Sequence, residues 1–331
     1  MQAPNTRPCI RAAKGASQPV DLFRETAIAC NINILAVGFS GTLVGLHLSL
    51  PIIPVALLVI LWSVLNAVVF SLIAHRKLAK INQLMYDCDL ESFLAISEGL
   101  AKRRTEKTTN TLMLLNLAAA YIFTGNNTAA GRLLYGIDAG RFTRAAQTRL
   151  EAQCELIYHN NFFEYYYRFN DLTAAAQALE QMKRILQSSK LSRSARNTYS
   201  GFLLRQQHLL NIANGDYDNA EQVFDLAFEK GRHMLDRVSA KYTLGRIYLH
   251  QGKTIEAERA FAYAVMHGGS SIFKVSAAQR LNTLGKTVHL PPDKPPVNVF
   301  LAAEKAAIIV CCGLVVCVSL IALIGSFAGL L

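Results

Sequence analysis

The side chains that carry most acid–base chemistry are spread along this sequence without a catalytic spacing. Eight histidines are present, and no two of them form the H-x-x-x-H or H-E-x-x-H pattern that places two imidazoles on one helix face. The sequence has no phosphate-binding loop of the G-x-x-x-x-G-K type and no C-x-x-C pair among its seven cysteines. We therefore expect no enzymatic reaction, no metal site and no cofactor.

Positive charge is the clearest chemical feature. Residues 183–205, KRILQSSKLSRSARNTYSGFLLR, contain six basic side chains and no acidic one. Such a run favours an acidic protein surface or anionic lipid headgroups, to which each nearby Lys or Arg adds about 1 kcal/mol. Nucleic acid would attract the same charges, but no recognition motif accompanies them, so we do not expect it as a partner. A solvated loop is the alternative. The predicted basic surface comprises Lys183, Arg184, Lys190, Arg193 and Arg196.

Two long uncharged runs indicate that these charges lie near a membrane. Residues 26–75 and 306–331, which are 50 and 26 positions long, contain no Asp, Glu, Lys or Arg. A helix of about 20 apolar residues crosses a bilayer, and the two prolines of SLPIIP interrupt the first run. We therefore predict three transmembrane helices: a helical hairpin over 28–75 and a single span within 302–331.

The flanking charges predict the orientation of these helices. Basic residues lie on both sides of the hairpin, at Arg7, Arg11, Lys14 and Arg24 before it and at Arg76, Lys77 and Lys80 after it. By the positive-inside rule, the leader (1–27, expected to be disordered) and the middle of the chain are cytosolic, and the C-terminus lies outside. A cleaved signal peptide is the alternative for the first span, although its leader is long.

The region 78–290 has helical periodicity and a recurring turn. A small residue recurs at intervals of 45, 45 and 37 positions, and a Gly or Asn precedes it by five positions each time. Gly or Asn can end a helix in the left-handed conformation, and Ala lets the next helix approach closely. The small residues are Ala130, Ala175, Ala220 and Ala257, and the turn residues are Gly125, Asn170, Gly215 and Gly252. The segment 271–285 is expected to cap the array, and a Pro-rich linker, 291–301, follows.

The most regular unit is YTLGRIYLHQGKTIEAERAFAYA, residues 242–264. Its marker residues are Leu244, Gly245, Tyr248, Gly252, Ala257, Phe261 and Ala264. This spacing resembles the tetratricopeptide-repeat family, and the tethered architecture resembles membrane-anchored repeat proteins of bacteria. The resemblance covers roughly residues 110–284 and implies antiparallel helix pairs that stack into a superhelix. We therefore expect an all-α fold, a TPR-like α-solenoid of four to five helical hairpins, held in the bacterial cytoplasmic membrane by the three transmembrane helices.

The resemblance also implies which side chains line a concave groove. In this family, positions i, i+4 and i+7 of the first helix of each pair face that groove. Here they give an apolar beginning, Leu115, Ala119 and Ile122, and then a mixed set that includes Asn160, Glu164, Tyr167, Arg205, Tyr242, Arg246 and Leu249. Tyrosines and arginines can offer aromatic platforms and carboxylate-binding forks to a peptide. The alternative is that these side chains pack on neighbouring helices.

Together these patterns predict an integral membrane scaffold or adaptor, not an enzyme. Its cytosolic groove would bind a protein or peptide partner next to the bilayer, with anionic lipids as further partners. The alternative is a regulatory or structural subunit of a membrane transporter or pore-forming assembly. The sequence does not predict the identity of the partner or the oligomeric state.

Overall fold

The computed structural model describes residues 76–101, 107–141, 148–187 and 191–286, together with positions 60, 64, 68 and 72. These residues lie in helices, turns and short connections, and none of them lies in a strand. The predicted all-α fold is therefore confirmed for this part of the chain. Residues 82–297 form one compact unit, and residues 1–81 with 298–331 form another.

Most of the predicted membrane segments, 28–75 and 302–331, lie outside the described residues, as do the leader and the Pro-rich linker. Within the parts that the structure describes, no helix combines the length and the hydrophobicity that a membrane crossing requires. Four described positions fall inside the predicted second span. They are helical, and each side chain is at least half exposed: Ile60, Val64, Val68 and Leu72.

Ten α-helices follow the helical residues 76–86 within the described part of the chain. In order they are α1 Leu90–Ala101, α2 Lys107–Thr124, α3 Asn127–Gly136, α4 Arg149–Arg168, α5 Leu172–Gln187, α6 Arg193–Ala213, α7 Ala220–Lys230, α8 Met234–His250, α9 Thr254–His267 and α10 Ile272–Thr283. A 3₁₀ turn, Ala139–Arg141, follows α3. Consecutive helices pack in pairs, α2 with α3, α4 with α5, α6 with α7, and α8 with α9.

Left-handed residues make the tight turns inside these pairs. The φ angles are +82° at Gly125, +59° at Asn170, +86° at Gly215 and +73° at Gly252. A residue with a positive φ ends the first helix because its backbone no longer continues the right-handed spiral, and Gly and Asn tolerate this conformation best. Cys88, with a φ of +64°, ends the helical residues 76–86 in the same way.

Small residues let the helices of a pair approach closely. The four marker alanines, Ala130, Ala175, Ala220 and Ala257, are completely buried. In the pair α8–α9, a Cβ atom on Gly245 would lie only 2.6 Å from the ring of Phe261, which is also completely buried. Phe163 of α4 and Leu179 of α5 belong to one buried apolar cluster that also includes Ile122 of α2 and Leu210 of α6, so it extends across three pairs. This packing shelters apolar faces that a single pair could not bury alone.

The two ends of the array contact each other within residues 82–297. Ser270, in the turn between α9 and α10, accepts a hydrogen bond from the Leu90 amide through Oγ at 2.9 Å. The Ser270 amide donates to the Cys88 carbonyl, also at 2.9 Å. The ring centroid of Phe273 in α10 lies 6.0 Å from that of Phe123 in α2.

The repeat pattern does not predict this contact between the ends of the array. The segment 271–285 was expected to be a polar cap, but α10 buries Phe273, Ala277 and Leu281. These apolar side chains need cover on more than one side, and α10 packs on α2 as well as on α8 and α9. The last helix therefore connects the end of the array to its beginning.

Candidate functional site

The predicted groove residues lie on α2, α4, α6 and α8, the first helices of four consecutive pairs. On α2, Leu115 and Ile122 are completely buried. A capping box fixes the start of α4, since Thr148 accepts from the Glu151 amide and Glu151 accepts from the Thr148 amide. Ser192 caps α6 by accepting from the Ala195 amide. These caps set where each helix begins and therefore how its side chains are placed against the neighbouring helix.

Gln206 of α6 joins two of the predicted residues of α4. Its Nε2 donates to Oδ1 of Asn160 and to Oε1 of Glu164, both at 3.0 Å. Only 4% of Gln206 is exposed, so both hydrogen bonds form largely away from water. A buried amide that bonds a carboxylate holds the two helices in one register, because leaving either group unpaired would cost its desolvation energy.

Arg246 of α8 reaches across to α4. Its Nη1 donates to the hydroxyl oxygen of Tyr167 at 3.0 Å. The Tyr167 ring itself stacks on Phe163 of the same helix at 5.9 Å between centroids. The structure thus brings Asn160, Glu164, Tyr167 and Arg246 together, and they bond to one another or to Gln206.

Arg168 completes this polar cluster, although the repeat pattern did not select it. Its Nη2 lies 3.6 Å from Oε2 of Glu164, and both side chains are only 14% exposed. Its guanidinium carbon lies 5.5 Å from the ring centroid of Phe123 and 5.3 Å from that of Phe273. The cation therefore joins α4 to α2 and α10, the two helices that close the array. We call Asn160, Glu164, Tyr167, Arg168, Gln206 and Arg246 the inner network.

The remaining predicted groove residues have other neighbours. Arg205 lies 3.5 Å from Asp236 of α8 and 4.2 Å from the ring centroid of Phe202. Tyr242 packs on the rings of Phe261 and Phe273, and Leu249 is half-buried.

A register difference explains why Arg205 was selected and Gln206 was missed. The marker alanines of these units are 45 residues apart, whereas the hydrogen bond from Gln206 to Asn160 spans 46. The side-chain Nδ2 of Asn161 likewise donates to the Leu115 carbonyl of α2 at 2.8 Å, again across 46 positions. Since one residue turns a helix by about 100°, a shift of one position changes which side chain faces the next helix. Gln206 is uncharged and was not one of the selected repeat positions, so nothing in the sequence singled it out.

The inner network offers hydrogen bonds and charge rather than reactive groups. Burial, helped by Glu151, raises the pKa of the Cys154 thiol to about 11, so this thiol stays protonated and is a poor nucleophile at neutral pH. Within the described ranges, no three His, Cys, Asp or Glu side chains lie close enough to hold a metal ion. Two buried atoms of the network, Oε1 of Gln206 and Nε of Arg168, have no hydrogen-bond partner among the described residues.

The described residues of the predicted basic surface lie on α5 and at the start of α6. Arg184, Arg193 and Arg196 are exposed, Lys183 pairs with Glu180 at 2.6 Å, and Lys190 lies outside the described residues. A surface depression of about 560 Å³ runs along α5. It is lined by Leu172, Thr173, Ala176, Gln177, Glu180, Gln181 and Arg184, with Leu210 and Asn214 of α6.

His159, next to the inner network on α4, should make the stability of the array depend on pH. Burial lowers its pKa from 6.5 to about 4. Between these values the unfolded chain binds a proton that the folded chain does not, so the free energy of unfolding should fall as the pH drops from 6.5 to 4. The contribution of this residue is at most about 3 kcal/mol, and it is constant above pH 6.5, where both forms are neutral.

Denaturant unfolding of the full chain in detergent, followed by its helical circular dichroism between pH 4 and 7, measures this effect. His159→Gln should show a shallower loss of stability than the wild type. His267→Gln, at an exposed position, is the control for the change from His to Gln itself. Equal slopes for the wild type and His159→Gln would mean that the folded chain binds a proton at His159 over the same pH range as the unfolded chain.

Comparisons of the chain with protein-family models, with curated proteins and with solved structures find no match.

Proposed function

We propose that this chain is a membrane-anchored, TPR-like scaffold or adaptor that binds a protein or peptide partner beside the bilayer. The observation that carries the proposal is the inner network, a set of polar side chains from α4, α6 and α8 at the centre of stacked helix pairs. Stacked helix pairs present such side chains at regular spacings along one surface, which suits recognition of an extended or helical peptide.

The chemistry of the inner network favours a peptide as the ligand. Gln206 and Asn160 offer amide groups, Tyr167 a hydroxyl group, and Glu164 and Arg246 opposite charges. Gln206 and Arg246 donate through nitrogen atoms to oxygen atoms of Asn160 and Tyr167. A peptide backbone or a polar side chain offers oxygen atoms of the same kind and can replace these two bonds. Binding by replacement would also give Oε1 of Gln206 the donor that it lacks among the described residues.

Membrane anchoring is supported by the two long uncharged runs of the sequence, which supply the length for crossing. The four positions described inside the predicted second span, Ile60, Val64, Val68 and Leu72, are helical and at least half exposed. Exposed apolar side chains of this kind are favourable against lipid.

Two experiments on the full chain test the proposal. Reporter fusions after residue 290 and after residue 331 should be cytosolic and external, respectively.

In the cell of origin, a photoreactive benzoylphenylalanine in place of Leu249, a predicted groove residue, should give a discrete protein adduct. The same group in place of Leu226, which is 46% exposed on α7, should not. Equal adducts from both positions, or none from position 249, would remove the inner network as the partner site.

A further inference from the structure

The first half of α6 carries a face that no other part of the described chain covers closely. Its side chains repeat at intervals of three and four residues and are all exposed: Arg193, Arg196, Asn197, Ser200, Gly201 and Leu204. We call them the α6 face. A Cβ atom added to Gly201 would meet nothing within 4 Å, and Leu204 is 47% exposed. The opposite side of the same helix is packed, with Ala195 and Gln206 buried.

The charge of this surface has one sign. No Asp or Glu occurs in the 35 residues from 181 to 215. Arg184, in the last turn of α5, precedes the α6 face by a short connection and is exposed like Arg193 and Arg196. Lys183 and Arg205, in contrast, lie beside Glu180 and Asp236. The exposed arginines are therefore complementary to an anionic surface.

We infer that the α6 face docks on the anionic headgroups of the bilayer and so holds the array against the membrane. This inference rests on the proposed membrane anchoring and adds the surface that the array presents to the lipid. Two small residues, Ser200 and Gly201, keep the middle of the face flat, which suits a planar surface better than a pocketed one. Leu204 supplies an apolar side chain at the end of the face, as in helices that lie at a membrane interface.

The strength of docking should follow the number of arginines. Each Lys or Arg near an anionic leaflet strengthens binding by about fivefold, so reversing the charge of both Arg193 and Arg196 should weaken it by at least about 25-fold. A neutral bilayer, which offers the arginines no opposite charge, should also bind the α6 face at least about tenfold more weakly than an anionic one.

The experiment places benzoylphenylalanine at Ser200 in the full chain. The protein is reconstituted into nanodiscs of phosphatidylcholine with 30% phosphatidylglycerol, or of phosphatidylcholine alone, and irradiated, and adducts are identified by mass. We expect a phospholipid adduct in the anionic nanodiscs and at least a tenfold lower yield in the neutral ones. The variant R193E/R196E should lose the adduct. The matched variant R259E/R280E, which reverses two exposed arginines of α9 and α10, should keep it.

Other outcomes overturn the inference in distinguishable ways. A lipid adduct of equal yield in neutral nanodiscs, or one that survives R193E/R196E, would show that the α6 face does not bind lipid through its positive charge. Irradiation in the cell of origin that gives a protein adduct without a lipid adduct would assign the face to an acidic protein. A full chain that enters no nanodisc at all would refute membrane anchoring itself, and the inference would fall with the proposed function.

Discussion

Replacing Arg168 by Met should lower the free energy of unfolding by about 3 kcal/mol, the lower end of the range for removing one partner from a buried ion pair, because this pair is mostly but not fully buried. Met retains much of the length and apolar contact of Arg between Phe123 and Phe273. Glu164, which is 14% exposed, would keep the hydrogen bond from Gln206 but lose its cation. The contact of α4 with α2 and α10 would weaken at the same time, because the cation faces a ring from each of these helices.

Denaturant unfolding of the full chain in detergent measures this loss. Lys183→Met is the matched control, since it breaks a pair with Glu180 whose side chains are 34% and 56% exposed. Exposed pairs contribute at most about 1 kcal/mol. Adding Glu164→Gln to Arg168→Met should recover part of the loss by removing the uncompensated charge. If Arg168→Met cost no more than Lys183→Met, the inner network would not hold the ends of the array together.

Replacing Phe261 by Ala should have an effect of similar size, about 3–5 kcal/mol, because the ring is completely buried between α8 and α9. The ring also fills the space that a side chain at position 245 would need, since a Cβ atom there would lie 2.6 Å from it. Gly245→Ala alone should therefore cost about 1–3 kcal/mol through overpacking. In the Phe261→Ala background the same change should cost less, because the obstructing ring is gone.

Gly201→Ala is the control for this series. It also replaces a glycine inside a helix, but nothing lies within 4 Å of the new Cβ atom. It should therefore stabilise the chain by about 1 kcal/mol through helix propensity alone. The same unfolding measurement on all four variants separates packing from propensity. Additive effects of Gly245→Ala and Phe261→Ala would contradict the close approach of α8 to Phe261.

The position of turns and helices could be read from local residue types. Gly125, Asn170, Gly215 and Gly252 end helices because a left-handed residue stops the spiral within a few positions, whatever the rest of the chain does. The alanines that follow five positions later are buried because only a small side chain permits close helix contact. These features depend on short stretches of chain, so a single sequence contains the necessary information.

The pairing of polar side chains could not be read in this way. The spacing of the alanines selected Arg205, but Gln206 is the residue that bonds Asn160 and Glu164. A rotation of about 100° for each residue makes the choice sensitive to a register shift of one position. That shift depends on how whole helices pack, and the spacing of marker residues does not fix it.

The sequence by itself determined that the middle of the chain is a series of helix pairs with a basic, acid-free segment, because periodicity, turn residues and charge are local properties. Only the tertiary structure decided that the array closes on itself. Ser270 is hydrogen-bonded to Cys88 and Leu90, which are about 180 positions away in the sequence. Arg168 lies close to a ring from α2 and a ring from α10. Contacts between such distant residues depend on the summed rotation and displacement of every helix pair between them, and no local pattern records that sum.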